Sequence, residues 1–116
     1  MVEIKERSRE FTPVEEYLMT IAPNMVQMNS VEDGEKITIE AYLVFNDTKE
    51  DGTTTEVLSM ITPDKKVYSC QSITFKKSVF DIWNLFKGIP VTIVKSSGKT
   101  KAGRSYINCY LDTESM

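Results

Sequence analysis

Residues 36–46, K-I-T-I-E-A-Y-L-V-F-N, alternate apolar and polar positions with period two. Ile37, Ile39, Ala41, Leu43 and Phe45 fall on one side, and Thr38, Glu40, Tyr42 and Val44 on the other. The pattern predicts one long half-buried strand. A polar loop over 47–54 separates it from a second strand over 55–62. Pro63-Asp64-Lys65-Lys66 reads as a turn into a third strand over 67–71. With Asp64-Lys65 as the loop, Thr62 pairs with Val67 and Ile61 with Tyr68. Val57, Ile61, Tyr68 and Cys70 then share one face, and Leu58, Met60 and Val67 the other. Next the period changes. Phe75, Val79, Ile82 and Phe86 recur at helical spacing, predicting a helix over 75–86 capped by Ser72 or Thr74 and stopped at Gly88. A strand over 91–95, a long loop over 96–103 and a strand over 104–111 follow.

The N-terminal side is less regular. Residues 1–11 are charged, lack a clear period and read as a flexible arm. Thr12, Pro13 and Glu15 make a capping box with proline at the first helical position, so a short helix runs through 14–19 and is limited by Pro23. Residues 25–29 read as a short strand or extended segment, and 32–35 as a turn. The expected organisation is an arm, a single domain over 12–111, and a short acidic tail over 112–116. Three strands, a helix and two strands, preceded by a short helix, match a mainly β architecture: an OB-fold, a five-stranded Greek-key barrel with its helix between strands 3 and 4. In that frame the 96–103 loop joins strands 4 and 5, where such barrels usually bind oligonucleotides or oligosaccharides.

Charge gives this loop its weight. The net charge is −3, but residues 1–63 hold 5 cations and 13 anions, whereas 64–111 hold 9 cations and 2 anions. Such sorting suggests a basic surface on an acidic protein; the alternative is that folding mixes the charges again. Lys95, Lys99, Lys101 and Arg104 surround Gly98 and Gly103 and suit phosphate contact. Tyr106 and Tyr110 share one strand face, which suits base stacking, or else packing against the N-terminal helix or a subunit. Tyr42 projects from the polar side of its strand and extends the platform, or else lies under the 14–19 helix or at a dimer contact. Lys76 and Lys77 lie off the helix stripe, as a solvated helix start or as DNA contacts. Trp83 and the helix phenylalanines read as core.

Other chemistries find little support. The chain has no histidine and no close Cys pair, so neither a structural zinc site nor the commonest general base is on offer. Cys70 and Cys109 read as buried free thiols. Gly98-Lys99-Thr100 is not a P-loop, because the required upstream glycine is Ile93 and a strand follows. Ser96 and Lys99 match Ser-x-x-Lys but lie in a loop. No metal, cofactor or enzyme activity is expected. The charged N-terminus M-V-E-I-K-E-R-S-R-E lacks a signal peptide's apolar segment, and no apolar run is long enough to span a membrane. The expected compartment is the cytoplasm, of the host cell if the protein is viral.

The segments I-T-I-E-A-Y-L-V-F, V-Y-S-C-Q-S-I-T-F-K-K-S-V-F-D-I and G-K-T-K-A-G-R-S-Y-I-N-C-Y-L carry a resemblance. Over residues 37–111 the chain resembles the small single-stranded DNA-binding proteins of bacteriophages and conjugative plasmids. The resemblance implies a non-enzymatic, sequence-tolerant binder in DNA replication or recombination. Its implied partners are single-stranded DNA and replication or recombination proteins; a homodimer is a separate option that the sequence leaves open. The bacterial housekeeping proteins differ in ending on a long disordered tail with an acidic, phenylalanine-terminated tip, whereas this chain ends Asp112-Thr113-Glu114-Ser115-Met116. The alternative is an OB-fold interaction module, a viral regulator or inhibitor of a host protein, which the acidic first half motivates.

Overall fold

The computed structural model describes residues 2–86 and 90–115. The alternating stretch over 36–46 does not form one strand. It bends at Glu40, whose N–H donates to the Ile61 carbonyl, and splits into β3 (Lys36–Ile39) and β4 (Ala41–Thr48). The remaining elements are β1 (Val2–Arg7), α1 (Pro13–Thr20), β2 (Val26–Gln27), β5 (Thr54–Ile61), β6 (Val67–Cys70), α2 (Ile73–Phe86), β7 (Val91–Lys99) and β8 (Ser105–Leu111). Short 3₁₀ turns lie at Met28–Ser30 and Thr113–Ser115.

The strands build two open sheets. One is mixed, in the order β1-β4-β5-β6-β2, with β2 parallel to β6; the other is antiparallel, β3-β7-β8. The expected OB barrel is therefore corrected to an α/β arrangement of two unclosed sheets and two helices. The reason lies at the edges. A barrel would join the outer sides of β4 and β6 to the second sheet, but β1 occupies one and β2 the other. The predicted N-terminal arm is thus largely a strand, pairing Ile4 with Phe45 and Arg7 with Leu43 across a bulge. As an edge strand, V-E-I-K-E-R is mostly exposed and carries little apolar signal.

The bend at Glu40 also changes which residues share a core. Ile37 and Ile39 pack with Tyr42 and Val44, while Ala41 and Leu43 face the other side of the five-stranded sheet. Between β5 and β6 the register differs by one residue from the predicted hairpin. Ile61 pairs with Val67 and Met60 with Tyr68, around a turn in which Lys65 takes a positive φ. A one-residue shift reverses the faces. Leu58, Met60, Tyr68 and Cys70 enter the larger core with Phe75, Val79 and Trp83 of α2, and with Ile93 and Cys109 of the second sheet. Ile61 and Val67 join Met19 and the half-buried Leu18 and Phe11 on the α1 side. A hydrogen bond from the Ser59 hydroxyl to the Met19 carbonyl ties α1 to β5.

Both helices start where their caps predict. The Thr12 hydroxyl accepts the Glu15 N–H while the Glu15 carboxylate accepts the Thr12 N–H. The Ser72 hydroxyl accepts the Phe75 N–H at 3.2 Å and begins α2. The predicted stop at Gly88 lies outside the described residues. No helix among them is long and apolar enough to cross a membrane. Cys70 and Cys109 are buried and free, and burial pushes their thiols up to about 11 and about 12. Both therefore stay protonated and unreactive near neutral pH.

Candidate functional site

The basic segment is a formed hairpin rather than a loop. Strand β7 continues through Lys99, and the register runs from Ile93 opposite Leu111 to Lys99 opposite Ser105. Thr100 N–H donates to Arg104 O and Gly103 N–H to Thr100 O, both at 2.9 Å. Gly103 takes a φ of +83° at the last position of the three-residue connection, where a side chain would be strained. Lys99, Lys101 and Arg104 ring this tip, all exposed, and none forms an ion pair with a described residue.

Tyr106 and Tyr110 lie on one face of the hairpin, 38% and 55% exposed, with Asn108 between them. Opposite Tyr106 stands Gly98. A methyl group there would sit 2.7 Å from the Tyr106 hydroxyl oxygen and 2.8 Å from its Cζ. The ring thus lies across bare backbone, in a seat that only glycine leaves open. The Asn108 Oδ1 accepts the Ser78 hydroxyl of α2 and the Cys109 N–H. That fixes the strand between the two tyrosines to the helix.

Other predicted site residues lie elsewhere. Lys95 is on the inner face, only 5% exposed, and its Nζ donates to Asp33 Oδ1 at 2.9 Å. Ser97 and then Lys95 hold the Asp33 carboxyl below its usual range. The turn carrying Asp33 is strapped to β7 by Gly34 N–H to Lys95 O and Lys95 N–H to Glu35 O. Lys76 is 8% exposed and donates to both the carbonyl and the carboxylate of Glu56 at 3.3 Å. Tyr42 is buried, edge-on to Trp83 with ring centroids 5.3 Å apart, and its hydroxyl reaches Glu6. Burial first, then Glu6, pushes its phenol up to about 12. Tyr42 is therefore corrected from a surface to a core residue, and Lys76 and Lys95 from free cations to paired ones. Lys77 stays exposed and makes no ion pair with a described residue.

Folding has partly mixed the sorted charges. Lys65, Lys76 and Lys95 of the basic segment pair with Glu15, Glu56 and Asp33 of the acidic half. Among the described residues, Lys99, Lys101 and Arg104 remain together at the hairpin tip, Lys66 and Lys77 stand apart, and the turn carrying Glu32, Asp33 and Glu35 flanks β7. No family model, curated protein or solved structure matches this chain.

Beneath the hairpin, in the gap between the two sheets, lies an open cleft of about 710 Å³. Gln27 at the end of β2, Asn29 in the following turn, and Gln71 and Ser72 before α2 form one wall. Lys95, Ser97, Ser105, Tyr106 and Ile107 form the other. Sequence reading missed its amides. Positions 27, 29 and 71 share no motif, and only the β2–β6 pairing brings them together. Among the described residues no group of histidine, cysteine or acidic side chains is arranged to hold a metal ion.

Proposed function

We propose that this protein binds single-stranded nucleic acid, DNA by its resemblance to the phage and plasmid binders, through the outer face and tip of the β7–β8 hairpin. One observation carries the reading: two solvent-facing tyrosines share a face of a hairpin whose tip holds three cations that pair with no described residue. Lys99, Lys101 and Arg104 grip phosphates, with Lys77 as a flanking contact, and Tyr106 and Tyr110 offer rings to successive bases. Stacking needs no base identity, so the binding is sequence-tolerant. Tyr42, Lys76 and Lys95 hold the scaffold beneath. The activity is binding without catalysis, in replication or recombination within the cytoplasm.

Fluorescence anisotropy with a labelled thirty-nucleotide strand at several salt concentrations tests this. Affinity is expected to fall steeply with salt. Replacing Lys99, Lys101 and Arg104 together by alanine is expected to reduce the log–log slope by about 2, at roughly 0.7 per phosphate contact on a single strand. Tyr106→Ala and Tyr110→Ala are each expected to cost about 1–3 kcal/mol of binding with the slope retained. Affinity that does not change with salt would sink the electrostatic half of the reading.

A protein-interaction module, a regulator or inhibitor of another protein, is the second reading. Val14, Tyr17 and Ile21 favour it: they stand exposed at helical spacing on and just after α1. The same titration separates the two. No binding to the strand, together with a stable protein partner in pull-down, favours the module.

A further inference from the structure

We propose that the cleft between the two sheets takes one unstacked nucleobase with its sugar, and so gives an otherwise tolerant binder a base preference. This inference rests on the nucleic-acid reading of the hairpin. Four observations point to it.

The first is charge. Lys95 is the cation in the cleft wall, and Asp33 already balances it. The site therefore has little net charge with which to hold a phosphate and suits a neutral polar ligand. The second is the donor set. Gln27, Asn29 and Gln71 each present a primary amide that bonds to no described residue. An amide offers a donor and an acceptor side by side, the pattern that complements the edge of a base. Ser105 adds a hydroxyl that bonds to no described residue. The third is size. A volume of about 710 Å³ falls within the range of roughly 300–1,000 Å³ for small-ligand sites.

The fourth is continuity. Ser105 in the cleft wall directly follows Arg104 at the tip, and pairs with Lys99. Lys99 shares its strand face with Lys95, Ser97 and Ser105, so this one cation of the tip and the cleft lining form one row. A backbone held at the tip therefore passes the mouth of the cleft. Tyr106 borders the cleft as well. A strand stacked on the outer tyrosines can turn one base inward while its neighbours stay outside.

The test compares oligo-dA, oligo-dC and oligo-dT of equal length by anisotropy, using the wild-type chain and an Asn29→Ala/Gln71→Ala variant. Buried Trp83 emission reports that each protein is folded. The wild type is expected to spread the three affinities by about fivefold or more, the discrimination that one amide–base pair supplies. The variant is expected to compress that spread below about twofold with an unchanged salt slope. If the double variant fails to fold, Ser105→Ala at an exposed strand position replaces it, with a partial compression expected. Equal wild-type affinities, or a spread that survives substitution, overturn the base pocket while leaving the hairpin reading in place. Absence of binding to all three strands overturns both. Saturable binding of an oligosaccharide panel without any strand binding reassigns the cleft to sugars and likewise overturns the proposal.

Discussion

At the scale of single residues, the five tyrosines show how far side-chain type falls short of role. Tyr42 and Tyr106 both alternate with apolar neighbours along a strand, yet one is core and the other faces solvent. The difference is the strand beneath. Residues 41–45 of β4 are buried on both faces, so alternation there carries no inside–outside signal, whereas β8 has one exposed face. Gly98 makes the hairpin face distinctive. Gly98→Ala is expected to lift the Tyr106 ring, because the new Cβ would lie 2.7 Å from its hydroxyl. Strand affinity should drop nearly as far as in Tyr106→Ala, by about 1–3 kcal/mol. A Gly98→Ala/Tyr106→Ala double variant should bind like Tyr106→Ala alone. Additive losses in that cycle would mean that Gly98 acts through something other than the ring.

Elements were more legible than their partners. The capping box of α1 and the stripe of α2 were plain in the sequence, because caps and helical spacing are local. The β5–β6 register was not, since Lys65 at positive φ makes the turn one residue longer than Asp64-Lys65 suggests. Nor was β7's continuation through the glycine and serines to Lys99, which the antiparallel ladder imposes. Glu15 shows what a good cap adds. Hydrogen bonds from Arg9, then from the Thr12 N–H, with further help from Lys65, hold its carboxyl down at about 2 against 4.5 for an ordinary glutamate. The folded state therefore favours the ionised form. That stability is present in full above about 4.5 and is lost as the pH falls toward about 2. Glu15→Gln is expected to cost about 1–2 kcal/mol near neutral pH, since the carboxylate caps α1 while its partners Arg9 and Lys65 remain partly in solvent. In urea unfolding the gap to wild type should narrow steadily below pH 4. A gap independent of pH would place the cost in packing rather than charge.

For the whole molecule, the sequence order of elements was nearly right and the architecture was wrong. Closure depends on which edges pair, and the pairs that prevent it, β1 with β4 and β2 with β6, join segments about forty residues apart. Nothing local announces such contacts. The charge sorting was equally incomplete as a guide, because three of the segment's lysines fold back onto acidic partners. Lys76 is the clearest case. It joins α2 to Glu56 of β5, and Glu56 also holds Lys5 of β1. Lys76→Ala is expected to destabilise the fold by about 1–3 kcal/mol through the lost charged hydrogen bonds. At temperatures where the variant is folded, strand affinity and salt slope should match wild type. A reduced slope would instead make Lys76 a phosphate contact.

Strand β1 carries a consequence for how copies of the chain behave together. Its Glu3, Lys5, Glu6 and Arg7 present alternating charge along the outermost edge of the five-stranded sheet, and behind it lies the apolar ladder of Ala41 to Phe45. An uncovered edge of that kind is a template for strand addition from another molecule. Removal of residues 2–7 is expected to convert a dispersed protein into one that self-associates with rising concentration, read by light scattering. A truncated chain that stays monodisperse would show that the ladder protects itself. The charged first strand, unremarkable as sequence, then acts as the molecule's guard against its own aggregation.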